Sequence, residues 1–263
     1  MFEKQTYIKR REKLKKTVGS GIILLLGNSE SPMNFTDNTF HFRQDSTFLY
    51  FFGITRPDLV GLIDCDSGEE LIYGNDYTVE DSVWMGPQPT IAIQGNQVGI
   101  SKTATISQLI NFLIKVSKVK RKIHFLPPYR AENKIRLFDW LGILPSNQQN
   151  ASSTILIKAV INQRNYKSEK ELTEITRAVN TSVNMHTLAM RLTKPSVTEA
   201  QIAAAVQEVA VAANGQISFP VIATINGEIL HNHHHSQILK NGDLFLLDAG
   251  AETSMGYCGD LSS

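Results

Sequence analysis

The stretch "LLDAGAETSMGYCGDLSS", residues 246–263, carries two aspartates, Asp248 and Asp260, on either side of a turn-rich segment. The apolar run at 244–247 indicates one strand, and a second extended stretch begins at Tyr257. A glycine-containing turn between two such stretches is typical of a β-hairpin. The sequence therefore predicts a hairpin with one aspartate on each strand.

The two aspartates are predicted to face each other across this hairpin. Pairing about the midpoint, residue 254, places Asp248 and Asp260 on one face of adjacent strands, with Cβ atoms roughly 5 Å apart. Like charges at that distance repel, and a shared cation is the usual remedy. The alternative is that Asp248 accepts backbone N–H bonds at a strand end while Asp260 is a loop residue. Two carboxylates alone leave both interpretations open, because a dinuclear hydrolytic centre needs further carboxylates and usually a histidine.

Two helices are predicted upstream of the hairpin. Ser168 and Glu171 have the spacing of a capping box and precede an apolar stripe of helical period. Ser196 and Glu199 repeat that spacing at the start of an alanine-rich segment. Two consecutive helices are therefore predicted to precede the strands of this part of the chain.

Strands follow these helices. The run "QISFPVIATI" at 216–225 is apolar and β-branched, 226–227 is an Asn-Gly turn, and "EILH" at 228–231 is predicted as the next strand. His231 then lies at a strand end with a fixed orientation. Two helices followed by an antiparallel sheet predict an α+β unit, which we assign to residues 161–263.

Residues 1–160 are predicted to form a separate α/β domain. Short apolar runs separated by turn signals are typical of strands, and the third run below has the centre of a hairpin turn. The predicted strands are "GIILLLG" (21–27), "STFLYFFGI" (46–54), the two arms of "LVGLIDCDSGEELIYG" (59–74) and "KIHFLP" (122–127). Helical patterns lie at 105–119 and 132–141. Strands with interspersed helices indicate an α/β layer arrangement.

Composition limits the classes of function. The chain has 263 residues, of which 42% are hydrophobic, enough for two domains of modest size. Its 26 basic and 25 acidic residues give a net charge of +1, which argues against a nucleic-acid or acidic-membrane partner. The basic stretch 4–16 has apolar residues at helical spacing, so we predict a short amphipathic helix with a solvated charged face.

The cysteines and the amino terminus indicate the compartment. Cys65 and Cys258 are few and far apart, which indicates neither a disulfide framework nor a cysteine zinc site. The amino terminus has lysine and arginine where a signal peptide needs an apolar core, and no apolar run has the length of a membrane span. We therefore predict a soluble, cytoplasmic protein with no membrane partner.

The histidines are concentrated in "LHNHHHSQ". A loop of this composition can bind zinc or nickel, which makes a metal-binding or storage module an alternative function. For His233, His234 and His235 a polar connection is the favoured interpretation, whereas His231 follows an apolar run. His186 lies on the apolar stripe of its helix and is predicted to be a hydrogen-bonded core histidine.

Trp84 lies in the polar, turn-rich segment "DSVWMGPQP", residues 81–89. A tryptophan in such a loop is predicted to be exposed and to contact a ligand or a partner. Packing of the loop onto the domain is the alternative.

Several segments together resemble one family, the Xaa-Pro aminopeptidases (aminopeptidase P) and the related prolidases of the creatinase-like, pita-bread metallopeptidases. They occur in the family's order across nearly the whole chain. The segments are "FRQDSTFLYFFGI" (42–54), "VWMGPQP" (83–89), "RNYKSEKELTEITRA" (164–178), "SFPVIATINGEILH" (218–231) and "ILKNGDLFLLDAGAETSMGYCGDLSS" (238–263).

The resemblance implies a fold and a set of site residues. The expected fold is an α/β creatinase-like amino-terminal domain, with a mixed sheet and flanking helices, followed by part of an α+β pita-bread catalytic domain. Asp248 and Asp260 match the first two ligands of a dinuclear centre of divalent ions, most often manganese, with Asp260 bridging them. His231 matches the histidine that hydrogen-bonds the developing tetrahedral species beside the scissile bond. Trp84 matches a tryptophan offered to a neighbouring subunit's site, which implies a homodimer or homotetramer.

The reaction implied is removal of the amino-terminal residue from peptides with proline in second position, by attack of a metal-bound hydroxide. A prolidase restricted to dipeptides, or a creatinase-like hydrolase without metal, is the alternative among enzymes. A non-catalytic binding or oligomerisation module is the alternative from another class.

Three departures from the family pattern affect the expected site. The spacing between Asp248 and Asp260 is one residue longer than usual, and "LSS" (261–263) stands where the family commonly has Thr-Arg. The chain also ends at Ser263, before the histidine and two glutamates that complete the family's ligand set. We therefore expect a chain truncated within the catalytic domain, which by itself has no peptidase activity and weak metal affinity.

Overall fold

The structure, a computed structural model, describes residues 1–232 and 234–263. The chain divides into two compact units, Met1–Tyr166 and Lys167–Ser263. The predicted boundary after residue 160 lies a few residues earlier, within the helix Thr154–Arg164.

Unit 1 is built on a five-stranded mixed sheet. Its strands are β1 Ile22–Leu26, β2 Val60–Asp64, β3 Glu70–Tyr73, β4 Lys102–Ala104 and β5 Ile123–His124. The order across the sheet is β4-β3-β2-β1-β5. β1 with β2 and β2 with β3 are antiparallel, whereas β1 with β5 and β3 with β4 are parallel. The predicted mixed sheet is confirmed, and so is the hairpin formed by β2 and β3.

Helices cover both faces of this sheet. They are α1 Lys4–Val18, α2 Ser46–Phe52, α3 Val79–Met85, α4 Ile91–Gln97, α5 Ile106–Lys118, α6 Ala131–Leu141, a 3-10 turn Pro145–Asn147, α7 Gln148–Ala151 and α8 Thr154–Arg164. Alternate residues of β1 enter two different cores, Ile23 and Leu25 in one and Ile22 and Leu24 in the other. A strand buried on both faces is a continuous apolar run, as "IILLL" is.

The prediction of a strand at "STFLYFFGI" is wrong, because this segment forms α2. The Asp45 carboxylate accepts hydrogen bonds from the N–H groups of Thr47 (2.9 Å) and Phe48 (2.8 Å), which caps the helix. Gly53 ends it in the left-handed conformation, with φ 63°. The cap and the glycine outweigh the β-propensity of the aromatic residues between them.

The predicted solvated face of α1 is only partly correct, since Arg10 and Arg11 are buried. Arg11 donates hydrogen bonds to Glu70 (2.7 Å) and to the carbonyl oxygens of Phe51 (2.9 Å) and Val98 (2.8 Å). A buried guanidinium is tolerated when its donors are satisfied in this way. Part of the basic character of α1 is therefore structural.

Unit 2 consists of two helices and antiparallel strands, as predicted. Its elements are α9 Glu169–Leu192, α10 Glu199–Ala212, β6 Gln216–Ile217, β7 Ile222–Ile225, β8 Phe245–Ala249, β9 Ala251–Glu252 and β10 Leu261–Ser262. β10, β8 and β7 form one antiparallel sheet, and β6 pairs with β9. The buried core of this unit lies between the helices and the strands.

One of the two predicted capping boxes is confirmed. Ser168 and Glu171 cap α9 reciprocally. At α10 the cap is formed by Thr198 with Gln201 instead of Ser196 with Glu199. Ser196 has a positive φ of 75° and belongs to the preceding turn, which shifts the helix start.

Within the described part of the chain, no helix is long and apolar enough to span a bilayer.

Candidate metal site on the C-terminal hairpin

The predicted hairpin is present, but its register differs from the predicted one. Asp248 is paired with Ser262 and Ala249 with Leu261, and the same register continues to a bridge between Glu252 and Cys258. Asp260 is thus two positions from the place opposite Asp248. The prediction that the aspartates are directly opposite is wrong.

The turn explains this register. Thr253 N–H donates to Tyr257 O (2.8 Å) and Gly256 N–H donates to Thr253 O (2.8 Å), with Gly256 at φ 78°. The loop is therefore centred on Met255 instead of on residue 254. A glycine that adopts a positive φ without steric cost fixes the tip at this point.

A shift of two positions keeps the two carboxylates on one face of the sheet, because side chains alternate with a period of two. Asp248 and Asp260 become diagonal cross-strand neighbours, whose Cβ atoms are expected to lie roughly 7 Å apart. Leu247 and Ala249 point to the opposite side and are buried in the core of unit 2. The aspartates therefore share the face that is turned away from the helices.

Asp248 has an unsatisfied oxygen. Its residue is half-buried, and Oδ1 is buried without a hydrogen-bond partner in the structure. A buried acceptor without a partner costs about 1–3 kcal/mol, and a charged one costs more. A cation bound to this oxygen would remove the cost, so the carboxylate fits a metal ligand. Asp260 is exposed.

The ligand set is small. No group of three or more His, Cys, Asp or Glu residues arranged to hold a metal ion occurs among residues 1–232 and 234–263. The described structure therefore supplies two carboxylates to a site and not a complete coordination shell for two ions.

Helix α9 and the segment between β6 and β7 hold the hairpin in place. The Tyr257 hydroxyl donates to Glu171 (3.1 Å), and the Ser218 hydroxyl donates to Gly259 O (2.9 Å). His186 is 5% exposed and hydrogen-bonded, which confirms its prediction as a core histidine. Ser182 was not predicted from the sequence, although its position one turn before His186 on the same face of α9 was an available signal.

His231 does not lie at a strand end, contrary to prediction. The turn at Asn226-Gly227 is confirmed by φ angles of 60° and 63°, but the residues after it form a loop instead of a strand. β7 pairs with β8 instead, and the Asn226 N–H extends this pairing by donating a hydrogen bond to Leu244 O (2.7 Å). The exposed apolar residues of "EIL" gave a false strand signal.

His231 instead lines an open pocket in unit 2. The pocket has a volume of about 590 Å³, which is within the usual range of roughly 300–1,000 Å³ for small-ligand sites. Asn232 and His234 also line it, and Asn232 attaches the loop to β7 through a bond to Ala223 O (3.3 Å). His234 is exposed and His235 is half-buried, while His233 lies outside the described residues.

Trp84 is highly exposed, as predicted, with 84% of its surface accessible. It lies on helix α3 and not in a loop, because Thr78 and Asp81 form a capping box. No residue of α3 is buried. Arg56 anchors the segment, donating to Asn75 O (2.5 Å) and Pro89 O (3.3 Å) on either side of the helix.

Two family models match the chain. The model of the aminopeptidase P N-terminal domain matches residues 7–124, and the model of metallopeptidase family M24 matches residues 173–263. Together they cover most of the sequence, in the order of a two-domain member of that family. Residues 7–124 belong to the aminopeptidase P N-terminal domain family, and residues 173–263 belong to metallopeptidase family M24.

Curated Xaa-Pro dipeptidases and Xaa-Pro aminopeptidases are similar along almost the whole chain. The human Xaa-Pro dipeptidase is 24% identical over 98% of this chain and 52% of its own length. The Xaa-Pro aminopeptidase of Escherichia coli K12 is 22% identical over 99% of this chain and 62% of its own length. A probable Xaa-Pro aminopeptidase of Chaetomium globosum is 29% identical, over 92% of this chain and 40% of its own length. The chain thus spans between two fifths and about three fifths of these relatives.

Solved structures of aminopeptidases have the same fold. Aminopeptidase PepP of Pseudomonas aeruginosa has a TM-score of 0.83 at 23% identity, over 99% of this chain and 61% of that one. Zinc-substituted E. coli aminopeptidase P, in complex with product, has a TM-score of 0.82 at 22% identity, over 99% of this chain and 62% of that one. The expected creatinase-like arrangement, with part of a catalytic pita-bread domain, is confirmed.

Proposed function

We propose that this chain is part of a proline-specific metallopeptidase that releases the amino-terminal residue from Xaa-Pro peptides. The observation that carries the proposal is the buried, unpartnered Oδ1 of Asp248 on the same face as Asp260. The names of the M24 relatives, which include Xaa-Pro aminopeptidases and dipeptidases, support the substrate class.

Asp248 and Asp260 are proposed as the residues that would hold divalent ions, and the family resemblance is what implies a bridging role for Asp260. Carboxylate oxygens suit manganese, which we propose as the metal. Divalent ions at such a centre polarise the scissile carbonyl and activate a water molecule. The contribution of the chain is to hold both carboxylates on one face of the hairpin.

His231 is proposed to hydrogen-bond the reacting carbonyl oxygen as negative charge develops on it. His231 lines an open pocket that a peptide can reach from solvent, and neither Asp248 nor Asp260 lines that pocket. Asn232, bonded to β7, restrains the backbone next to it.

Trp84 is proposed to contact the active site of a neighbouring subunit in a homodimer or homotetramer. The exposure of Val79, Val83 and Met85 beside Trp84 supports an interface at α3. A cytoplasmic location completes the proposal and is supported by the two cysteine thiols, which suit a reducing compartment.

The test is an assay of the full-length protein, stripped of metal and reloaded with Mn²⁺. We expect release of the first residue from Xaa-Pro tripeptides, little release from Xaa-Ala tripeptides, and loss of activity in Asp248→Asn. Asp139→Asn, an exposed aspartate of α6, is the matched control and should leave the rate unchanged. Equal activity of Asp248→Asn and the unmodified protein would contradict the proposal, and cleavage of Xaa-Pro dipeptides alone would favour a prolidase.

A second candidate is a non-catalytic assembly module, favoured by the exposed apolar surface of α3. It predicts self-association that depends on Trp84 together with no metal-dependent hydrolysis by the full-length protein. The same assay therefore separates the two candidates.

A further inference from the structure

A single buried histidine of α9 contacts both strands that carry the proposed metal ligands. His186 Nε2 lies 3.1 Å from Ala249 O on β8, and Nδ1 lies 2.8 Å from the Ser263 hydroxyl that follows β10. A carbonyl oxygen can only accept, so Nε2 carries a hydrogen, and in the neutral ring Nδ1 then accepts from the serine hydroxyl. One imidazole ring thus connects α9 to both strands.

These contacts lie next to the proposed ligands. Ala249 directly follows Asp248, and Ser263 lies three residues after Asp260. Ser263 also exchanges two backbone hydrogen bonds with Leu247, of 2.8 and 2.9 Å. His186 therefore holds the hairpin at the end that lies farther from its turn.

Ser182 holds the other end of the same ladder. Its hydroxyl donates to Ala178 O (3.0 Å) and accepts from the N–H of Ala251 (2.9 Å). Gly259, opposite Ala251, lies so close to α9 that an added Cβ would be 2.5 Å from the Ser182 oxygen. The hairpin is thus attached to one helix at two points, one turn apart.

We propose that His186 is a positioning residue for the metal ligands: it fixes the register of β8 against β10 and thereby the separation of Asp248 from Asp260. The proposal rests on the function proposed above. Repulsion between two carboxylates on one face favours separation or slippage of the strands, and a slip of one position would turn one carboxylate to the opposite face. Hydrogen bonds from one rigid ring to both strands oppose that movement.

The chain contains a matched control for this histidine. His124 in unit 1 is 3% exposed and has the same pair of partners, a serine hydroxyl (Ser153, 2.6 Å) and a backbone carbonyl (Ser20, 3.0 Å). It lies in the other compact unit. Substitution of His124 therefore reports the general cost of removing a buried, doubly bonded histidine.

The experiment titrates Mn²⁺ into the 263-residue chain and follows paramagnetic broadening of backbone amide signals, with hydrogen exchange measured on the same samples. In the unmodified chain, broadening is expected to centre on Asp248 and Asp260. His186→Leu should raise the Mn²⁺ concentration for half-maximal broadening about tenfold or more, and should speed exchange of the Leu247 and Ser263 amides. His124→Leu should leave both readouts unchanged while lowering the thermal midpoint.

Conservative variants separate positioning from simple loss of packing. His186→Gln places an amide donor near the position of Nε2 and should restore the bond to Ala249 O and much of the Mn²⁺ response. His186→Leu with an unchanged titration midpoint, or His124→Leu with an equal loss, would overturn the positioning role while leaving the proposed function intact. Broadening of the unmodified chain at His231, His234 and His235 instead of the hairpin would overturn the ligand assignment itself, and the positioning role with it.

Discussion

Single residues show where stability and function oppose each other. Asp248 keeps a buried carboxylate oxygen without a partner, although its strand neighbours are well packed. Natural proteins retain such groups where a ligand satisfies them. The residue types of the site could be predicted from the sequence, because two aspartates flanking a turn are visible in it. The lack of a partner for Oδ1 could not be predicted, because it depends on which hydrogen-bond donors the folded structure places beside this oxygen.

Asp248→Asn should stabilise the metal-free chain while abolishing metal binding. A neutral amide costs less to bury than a carboxylate, so we expect the free energy of unfolding to rise by about 1 kcal/mol. Urea denaturation without divalent ions measures it. Asp260→Asn is the control, and its exposed side chain should give a much smaller change. A clear loss of stability in Asp248→Asn would show that the carboxylate has a partner within the protein.

His124 should make the stability of unit 1 dependent on pH. Burial lowers the pKa of the His124 imidazole below its usual value, although the hydrogen bond to Ser20 O opposes this and Lys122 adds to it. The folded state therefore favours the neutral ring. The contribution of the neutral His124 ring to the free energy of unfolding is fully present above about pH 6.5. It is lost as the pH falls from there toward the lowered pKa, by at most about 1.4 kcal/mol per pH unit. Denaturation between pH 5 and 8 should show this slope, and His124→Gln should reduce it; an equal slope in the variant would contradict the assignment.

At the scale of elements, strand and helix positions followed from the sequence better than their exact pairing. Hydrophobic periodicity predicted β1, β2, β3, α5, α6, α9 and α10. The hairpin register was predicted two residues out because the turn is set by Gly256 in a left-handed conformation, which symmetry about a midpoint ignores. The face of the aspartates was nevertheless correct, since a shift of two preserves alternation. Two strand predictions were wrong. The segment of α2 has a helix cap that outweighs its β-propensity, and the apolar residues before His231 are exposed in a loop.

The hairpin packs so closely against α9 that there is no room for a side chain at Gly259. An added Cβ would lie 2.8 Å from Ala178 O, a backbone atom that cannot rotate away. Gly259→Ala should therefore lower the free energy of unfolding by about 1–3 kcal/mol and weaken Mn²⁺ binding. Thermal denaturation and the Mn²⁺ titration test both effects. Ser254→Ala, at the exposed tip of the same hairpin, should be nearly neutral.

Helix α3 should be dispensable for folding. Trp84→Ala removes a side chain that is 84% exposed, from a helix without buried residues. We expect the free energy of unfolding to change by less than about 0.5 kcal/mol, while self-association measured by sedimentation weakens. Phe51→Ala in the core of unit 1 is the contrast, with an expected loss of about 3–5 kcal/mol. A large loss of stability in Trp84→Ala would place the ring in the core instead of at an interface.

At the scale of the whole molecule, the chain combines an aminopeptidase P N-terminal domain with a segment of an M24 catalytic domain. The ordered set of motifs predicted this arrangement, since no single motif has comparable specificity. The attachment of the hairpin by Ser182 and His186 could not be predicted in the same way. Both residues lie on the buried face of α9, and the sequence does not mark that face, because the large apolar residues Leu172, Val183 and Met190 of this helix are exposed.

The most direct test of the account is the location of Mn²⁺ on the 263-residue chain, read from paramagnetic broadening of assigned amide signals. The account predicts that the signals of residues 248–250 and 259–262 broaden first, and that Asp248→Asn removes this effect while Asp139→Asn does not. Broadening that begins instead in the loop of His231, His234 and His235, and persists in Asp248→Asn, would contradict it.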